Sequence, residues 1–194
     1  MIDYENIRYP IVILSSPRSG STALATHIHN KLEDVLLFQE PDTDPNEFSR
    51  FAKAFDTTNQ YIVKIHANRI EQYPKHISDY LIHSTKPYKI CIRRKNRIEQ
   101  SLSLYIAYCR NMWFYQKELL IEDIIPINYA NIKQHIEILE QCVNELNQID
   151  ITFDAAIWYE DFEFGELNVV KTPKPKNYEE LYTAVTNVYN LINK

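Results

Sequence analysis

Glycine is almost missing from this chain: there are two in 194 residues, Gly20 and Gly165. A glycine kept in so sparing a sequence answers a specific backbone need. Cysteine is scarce too. Cys91, Cys109 and Cys142 are odd in number and lack ligand spacing, which excludes a disulfide framework and a zinc site and leaves three reduced core residues. There is no excess of positive charge. A net charge of −5 gives no global field for nucleic acid or an anionic membrane, so any anion site must be local. Long apolar runs are absent as well. The acidic start, Met1-Ile-Asp-Tyr-Glu-Asn, reaches only the short run Ile11–Leu14, and no later segment is long enough to span a bilayer. The expectation is a soluble, cytoplasmic protein without a signal peptide. No repeat or low-complexity tract interrupts the chain.

What is present is an ordinary globular composition, 45% apolar, in a length suited to one domain over 1–194 with a proper core. Five β-rich runs stand out: Pro10–Leu14, Val35–Phe38, Tyr61–Ile65, Tyr88–Ile92 and Phe153–Trp158. Most are apolar on both sides, as strands covered on both faces of a parallel sheet are. Helix-period segments lie between them. Thr22–Leu32 follows the first strand and Arg97–Lys117 the fourth. Ile132, Ile136, Leu139, Val143 and Leu146 mark a third helix, and Leu181, Val185, Val188 and Ile192 a C-terminal one. This alternation implies an α/β three-layer sandwich around a central, mostly parallel five-stranded sheet. Thr172-Pro-Lys-Pro-Lys reads as a linker before the last helix.

In such a fold, ligands bind beyond the C-terminal ends of the strands. There, between the first strand and first helix, stands Ser15-Ser-Pro-Arg-Ser-Gly-Ser-Thr22. Gly20 permits backbone angles closed to other residues, and Ser21 and Thr22 bring hydroxyls beside the free N–H groups of the first turn. With the helix dipole, these form an anion cradle, and Arg18 adds a planar fork suited to phosphate or sulfonate. A plain strand-to-helix turn with a serine cap is the other reading. A nucleotide triphosphatase loop, aligned on Gly20, requires glycine at 15 and lysine at 21. This chain has Ser15 and Ser21.

Pro17-Arg-Ser-Gly-Ser-Thr22 resembles the 5′-phosphosulfate loop of sulfotransferases that use 3′-phosphoadenosine 5′-phosphosulfate (PAPS) and release 3′,5′-adenosine bisphosphate (PAP). A second signature of that family is an arginine ending a strand with a serine eight residues on, both on the cofactor's 3′-phosphate; Arg93 and Ser101 stand at that spacing. Lys64 and His66, in "YIVKIHANR", resemble the Lys-x-His of the cytosolic members. Tyr159, Glu160 and Asp161 resemble a Tyr-Glu-Asp that ends a later strand. The four motifs run in family order over residues 10–165. The resemblance implies a P-loop-like fold and cofactor contacts from Pro17, Arg18, Ser19, Gly20, Ser21, Thr22, Arg93, Ser101 and Tyr159, with no metal. The family's late glycine-rich loop is missing, because Gly165 has no glycine partner; Lys171, Lys174 and Lys176 are candidates to replace part of it.

Sulfuryl transfer needs a cradle for the sulfonate, a cation for the leaving 5′-phosphate and a base for the acceptor hydroxyl or amine. Arg18 and the loop fit the first need and Lys64 the second. Two residues compete as base: His66, with an intrinsic pKa near 6.5, and Glu40, where carbohydrate, glycolipid and tyrosylprotein members place a glutamate. Glu40 otherwise reads as a surface carboxylate in an acidic loop with Asp42 and Asp44, and His66 as a hydrogen-bonded strand-end histidine. Tyr105, Tyr108, Trp113, Phe114 and Tyr115 are core or acceptor-groove candidates. The expected acceptor is a small molecule, carbohydrate or lipid, without nucleic acid or a membrane span. The rivals are a nucleotide or small-molecule kinase and a non-catalytic PAPS- or PAP-binding protein.

Overall fold

The computed structural model describes residues 2, 7–111, 123–161 and 174–193. They fall into two compact units: Met1–Lys95 with Cys142–Leu167, and Asn96–Gln141 with Asn168–Lys194.

The first unit is built on five strands: β1 (Ile11–Ser15), β2 (Leu36–Gln39), β3 (Tyr61–His66), β4 (Tyr88–Arg93) and β5 (Ala155–Trp158). Their order is β2-β3-β1-β4-β5, and every pairing is parallel. The sheet is thus wholly parallel where a mostly parallel one is expected, and strand ends shift by one or two residues. The three inner strands are buried on both faces, which is why they read as unbroken apolar runs.

Helices cover both faces. α1 (Ser21–Lys31) packs Leu24, Ala25 and Ile28 with Ile11, Ile13, Ile62, Ile90 and Ile92. On the other face, α2 (Pro45–Thr57) and α3 (Lys75–His83) join Val12, Leu14, Val63 and Ile65. Phe51 centres that layer, with ring centroids 5.4 Å from Phe38, 5.7 Å from Tyr61 and 6.0 Å from Tyr73. α2 and α3 go beyond the helices expected from sequence. α2 carries its own start signal: Asp44 accepts the Asn46 N–H at 2.7 Å, and Pro45 opens the first turn. This sorting of helices follows from handedness. The β1-to-β2 link runs one way along the sheet and the next two links run the other, so right-handed crossovers put them on opposite faces. The chain therefore reverses at β1, and in open α/β sheets ligands bind beyond the C-terminal ends of the strands at such a reversal.

The second unit holds α4 (Arg97–Arg110), the first part of α5 (Tyr129–Gln148) and α6 (Tyr178–Ile192). Leu102, Tyr105, Ile106, Ile132, Ile136, Leu181 and Val185 form its core. Tyr105 donates its hydroxyl to the Pro126 carbonyl at 2.6 Å, and Arg110 grips Asp123 through Nε at 2.8 Å and Nη2 at 2.5 Å. Residues 112–117 of the expected fourth-strand helix lie outside the described residues. Cys91 and Cys142 are buried as expected, but Cys109 is not a core residue: it stands on the exposed side of α4. No helix among the described residues is long and apolar enough to cross a membrane.

Candidate active site

Two residues of the loop after β1 adopt left-handed backbone: Arg18 with φ 57° and Gly20 with φ 84°. The second is free of steric cost only for glycine; the first costs about 1–3 kcal/mol, which the surrounding structure must offset. Gly20 caps α1 without a side chain, and its carbonyl accepts the first helical bond from Leu24 N–H at 3.1 Å. The Ser19 hydroxyl is fully buried and has no hydrogen-bond partner. Within the chain, the close approach that Gly20 permits is to the Tyr159 ring, which comes from the end of β5. A β-carbon on Gly20 would stand 2.2 Å from Tyr159 Cδ2.

Register explains what flanks the loop. Ile13 pairs with Lys64 and Ser15 with His66 on β3, while Ser15 pairs with Ile92 on β4, one residue before Arg93. Lys64 is buried, with its side chain 2% exposed, and its ammonium forms an ion pair with Glu40 Oε1. Glu40 follows β2 in a left-handed conformation (φ 52°), and its N–H donates to the Lys64 carbonyl at 2.8 Å. The same Oε1 lies 3.0 Å from His66 Nε2, and Oε2 lies 3.6 Å from Arg69 Nη1. Arg69 Nε also reaches Asp42 Oδ2 at 2.8 Å, and the Tyr73 hydroxyl donates to Asp42 Oδ1 at 2.7 Å.

These contacts set the protonation states. Burial alone would raise the Glu40 pKa. Hydrogen bonds from His66 and Lys64 and the Lys64 charge outweigh it, with a further pull from His66 only when that ring is protonated, and hold the carboxyl well below the usual range. Burial pushes His66 down, and the Lys64 and Arg69 charges add to this against the pull of Glu40. Burial lowers Lys64 too, opposed by Glu40 and Asp42 and reinforced by Arg18. Arg18 is lowered by burial and by Arg94, opposed by Tyr159 and Glu40. Arg18, Glu40, Lys64 and His66 thus act on one another as a single electrostatic cluster.

On the β4 side, Arg93 Nε is buried without a hydrogen-bond partner, and its guanidinium acts on the Cys91 thiol. Arg94 lies over the Tyr159 ring at 4.9 Å and donates to the Arg18 carbonyl at 3.5 Å. Glu160 accepts the Lys95 N–H at 2.9 Å, and Asp161 forms an ion pair with the Lys95 ammonium.

The structure therefore gathers Arg18, Glu40, Lys64 and His66, and brings Tyr159 onto Gly20. Ser101 belongs to the second unit, where it is buried on α4 and donates to the Arg97 carbonyl at 2.8 Å. Lys174 lies 3.8 Å over the Tyr178 ring, and Lys176 N–H donates to the Asp123 carbonyl at 2.9 Å. Lys171, Gly165, Trp113, Phe114 and Tyr115 lie outside the described residues. The surface reading of Glu40 does not hold: Lys64, His66 and Arg69 close on its carboxylate, and the side chain of Asp42 in the same loop is drawn in by Arg69 and Tyr73. Arg69 and Ser15 are further site residues. Arg69 is carried back to the strand end by the 3-10 turn Ala67–Gln72, and only the register of β1 on β3 sets Ser15 beside His66. No group of three or more His, Cys, Asp or Glu among the described residues could hold a metal ion.

No family model matches this chain, and no curated protein does. Among solved structures, one similar to it is the crystal structure of mouse sulfotransferase SULT7A1 complexed with PAP. The two share 14% identity over 96% of this chain, with a TM-score of 0.45. This chain spans 66% of that one.

Proposed function

We propose that this protein is a sulfotransferase that moves a sulfuryl group from PAPS to a hydroxyl or amine acceptor by in-line displacement. The observation that carries the proposal is the electrostatic cluster of Arg18, Lys64 and Glu40 at the end of β1, below a loop without the Walker lysine. The residues present fit such a donor. The Ser19 hydroxyl and Arg93 Nε are buried polar atoms without partners, of the kind that a bound anion satisfies.

Bound PAPS supplies the sulfuryl group and takes up charge on its 5′-phosphate as that group departs. Arg18, Ser19 and the N–H groups of Ser21 and Thr22 hold the 5′-phosphosulfate, whose phosphate PAP retains, with Pro17 shaping the loop. Lys64 provides the cation for the leaving phosphate, and Arg93 holds an anionic oxygen. Tyr159 braces Gly20. Glu40 removes the acceptor proton: it is ionised, and its Oε2 is approached only by Arg69 at 3.6 Å among the ion pairs described. Both ring nitrogens of His66, by contrast, are engaged. The acceptor class is a small molecule, carbohydrate or lipid.

Calorimetric titration with PAP, beside ADP with magnesium, on wild type and Arg18→Ala tests this. Tight PAP binding that Arg18→Ala weakens roughly 10- to 100-fold, the worth of a charge-assisted hydrogen bond, with weak ADP, supports it. No PAP binding, or preference for magnesium-ADP, overturns it in favour of a kinase.

A further inference from the structure

Sequence offers His66 and Glu40 as rival bases, and the hydrogen bonds around them are ordered in a way that assigns each a different task. Glu40 is ionised, so its oxygens can only accept. Oε1 lies 3.0 Å from His66 Nε2, and that nitrogen must therefore carry the ring proton. In a neutral imidazole the other nitrogen is then an acceptor. His66 Nδ1 lies 3.2 Å from Ser15 Oγ, so the Ser15 hydroxyl donates to it. Ser15 is fully buried and paired directly with His66 across β1 and β3, so the two cannot easily separate. We propose that Ser15 and His66 form a positioning relay for Glu40: Ser15 occupies the one lone pair with which His66 could take a proton, and His66 holds Oε1 of the base in place through Nε2–H.

This rests on the reading of Glu40 as the acceptor-side base, but its geometry belongs to the free protein. The groups facing the His66 ring are Ser15 from β1, Glu40 after β2, Lys64 from its own strand and Arg69 from the following turn. Lys64 and Arg69 disfavour a second ring proton, Glu40 favours it, and the Ser15 hydroxyl, while it donates to Nδ1, favours the neutral ring. Holding a base by a neutral donor leaves it ionised and fixes the direction of its other oxygen.

The experiment is nitrogen NMR of the full chain labelled in histidine, with His66→Gln identifying the His66 signals among the six histidines. In wild type, the expected spectrum has a protonated Nε2 and a hydrogen-bonded, unprotonated Nδ1, with any titration displaced below the roughly 6.5 of an ordinary histidine. Ser15→Ala, close in size and apolar, should free Nδ1 and move the His66 titration upward, and Ser15→Thr should restore it. Carboxyl carbon signals test the second link. Glu40 should titrate at higher pH in His66→Leu than in wild type, and His66→Gln, which keeps an N–H donor, should return it toward wild type. A wild-type His66 that titrates near 6.5 or carries its proton on Nδ1 overturns the relay. So does a Ser15→Ala variant with an unmoved His66, or a His66→Leu variant with an unmoved Glu40. PAP binding plays no part in these readouts, so a failed donor and a failed relay are told apart.

Discussion

Tyr159 packs so closely on Gly20 that a β-carbon at position 20 would stand 2.2 Å from Cδ2 and 2.6 Å from Cε2. Two penalties therefore meet in Gly20→Ala. The left-handed backbone costs a residue with a β-carbon about 1–2 kcal/mol, and overpacking against the ring costs about 1–3 kcal/mol more. In a Tyr159→Ala background only the first should remain. Urea denaturation of the four forms reads the difference directly; an equal cost of Gly20→Ala in both backgrounds would mean that the ring does not matter.

Arg93 should matter to the ligand and little to the fold. Its Nε is buried without a hydrogen-bond partner, so removing the side chain orphans no backbone or carboxylate group bonded to that atom. Arg93→Ala is expected to leave the melting temperature within a few degrees of wild type while PAP affinity falls roughly 10- to 100-fold. A large loss of stability with unchanged PAP affinity would assign Arg93 to structure alone.

Acid should weaken the fold in two stages. Burial lowers His66, so near pH 6.5 the unfolded chain takes up a proton that the folded chain refuses. Glu40 is held below the ordinary carboxylate range, so the same happens again near pH 4.3. In both cases the unfolded state binds more protons, and stability falls as pH falls. The contribution of His66 is complete above about pH 6.5 and is lost below it; that of Glu40 is lost only in stronger acid. Melting temperatures of wild type and His66→Gln between pH 4 and 8 should diverge below about 6.5. Parallel curves would deny His66 its part.

How far the sequence carried differs between strand and contact. Buried parallel strands such as Ile11–Ser15 and Tyr88–Arg93 announce themselves as apolar runs, and the ends of such strands are where ligands sit, so Arg18, Lys64, Glu40 and His66 are all legible. α2 is harder to see, although its stop-and-start signal, Asp44-Pro45, and its Phe48, Phe51 and Phe55 stripe are plain once the helix is known. The acidic loop hid more. Glu40 can be read as a surface carboxylate because nothing local says that Lys64 and His66 will close on it, or that Arg69 and Tyr73 will hold Asp42 beside it. The partner of His66 was equally silent, since a serine closing a strand has no period or spacing to mark it. Which of two neighbouring candidates carries a free lone pair is a matter of register between β1 and β3, and register is not written in either strand alone.

Lys64 and Glu40 neutralise each other in the free protein, although the proposed chemistry needs the ammonium at the leaving phosphate and the carboxylate at the acceptor. An anion entering beside Arg18 must draw Lys64 from Glu40, and part of its binding energy goes into separating that pair. Glu40→Gln should therefore tighten PAP binding, by about tenfold, the worth of one charge-assisted hydrogen bond. Removing a negative charge would also help any anion, so the comparison must be made with Lys64→Met. There Glu40→Gln relieves repulsion alone, and the excess tightening seen with Lys64 present measures the pair. Glu40→Gln also leaves a buried ammonium short of its partner, at a cost of about 3–5 kcal/mol in stability. Should that variant not fold, Glu40→Asp, which keeps the charge but falls one methylene short, runs the same cycle. Tightening of equal size with and without Lys64 would show that the ion pair stays closed when the anion binds, and Lys64 would then be a structural counter-ion and not the cation of the transfer step.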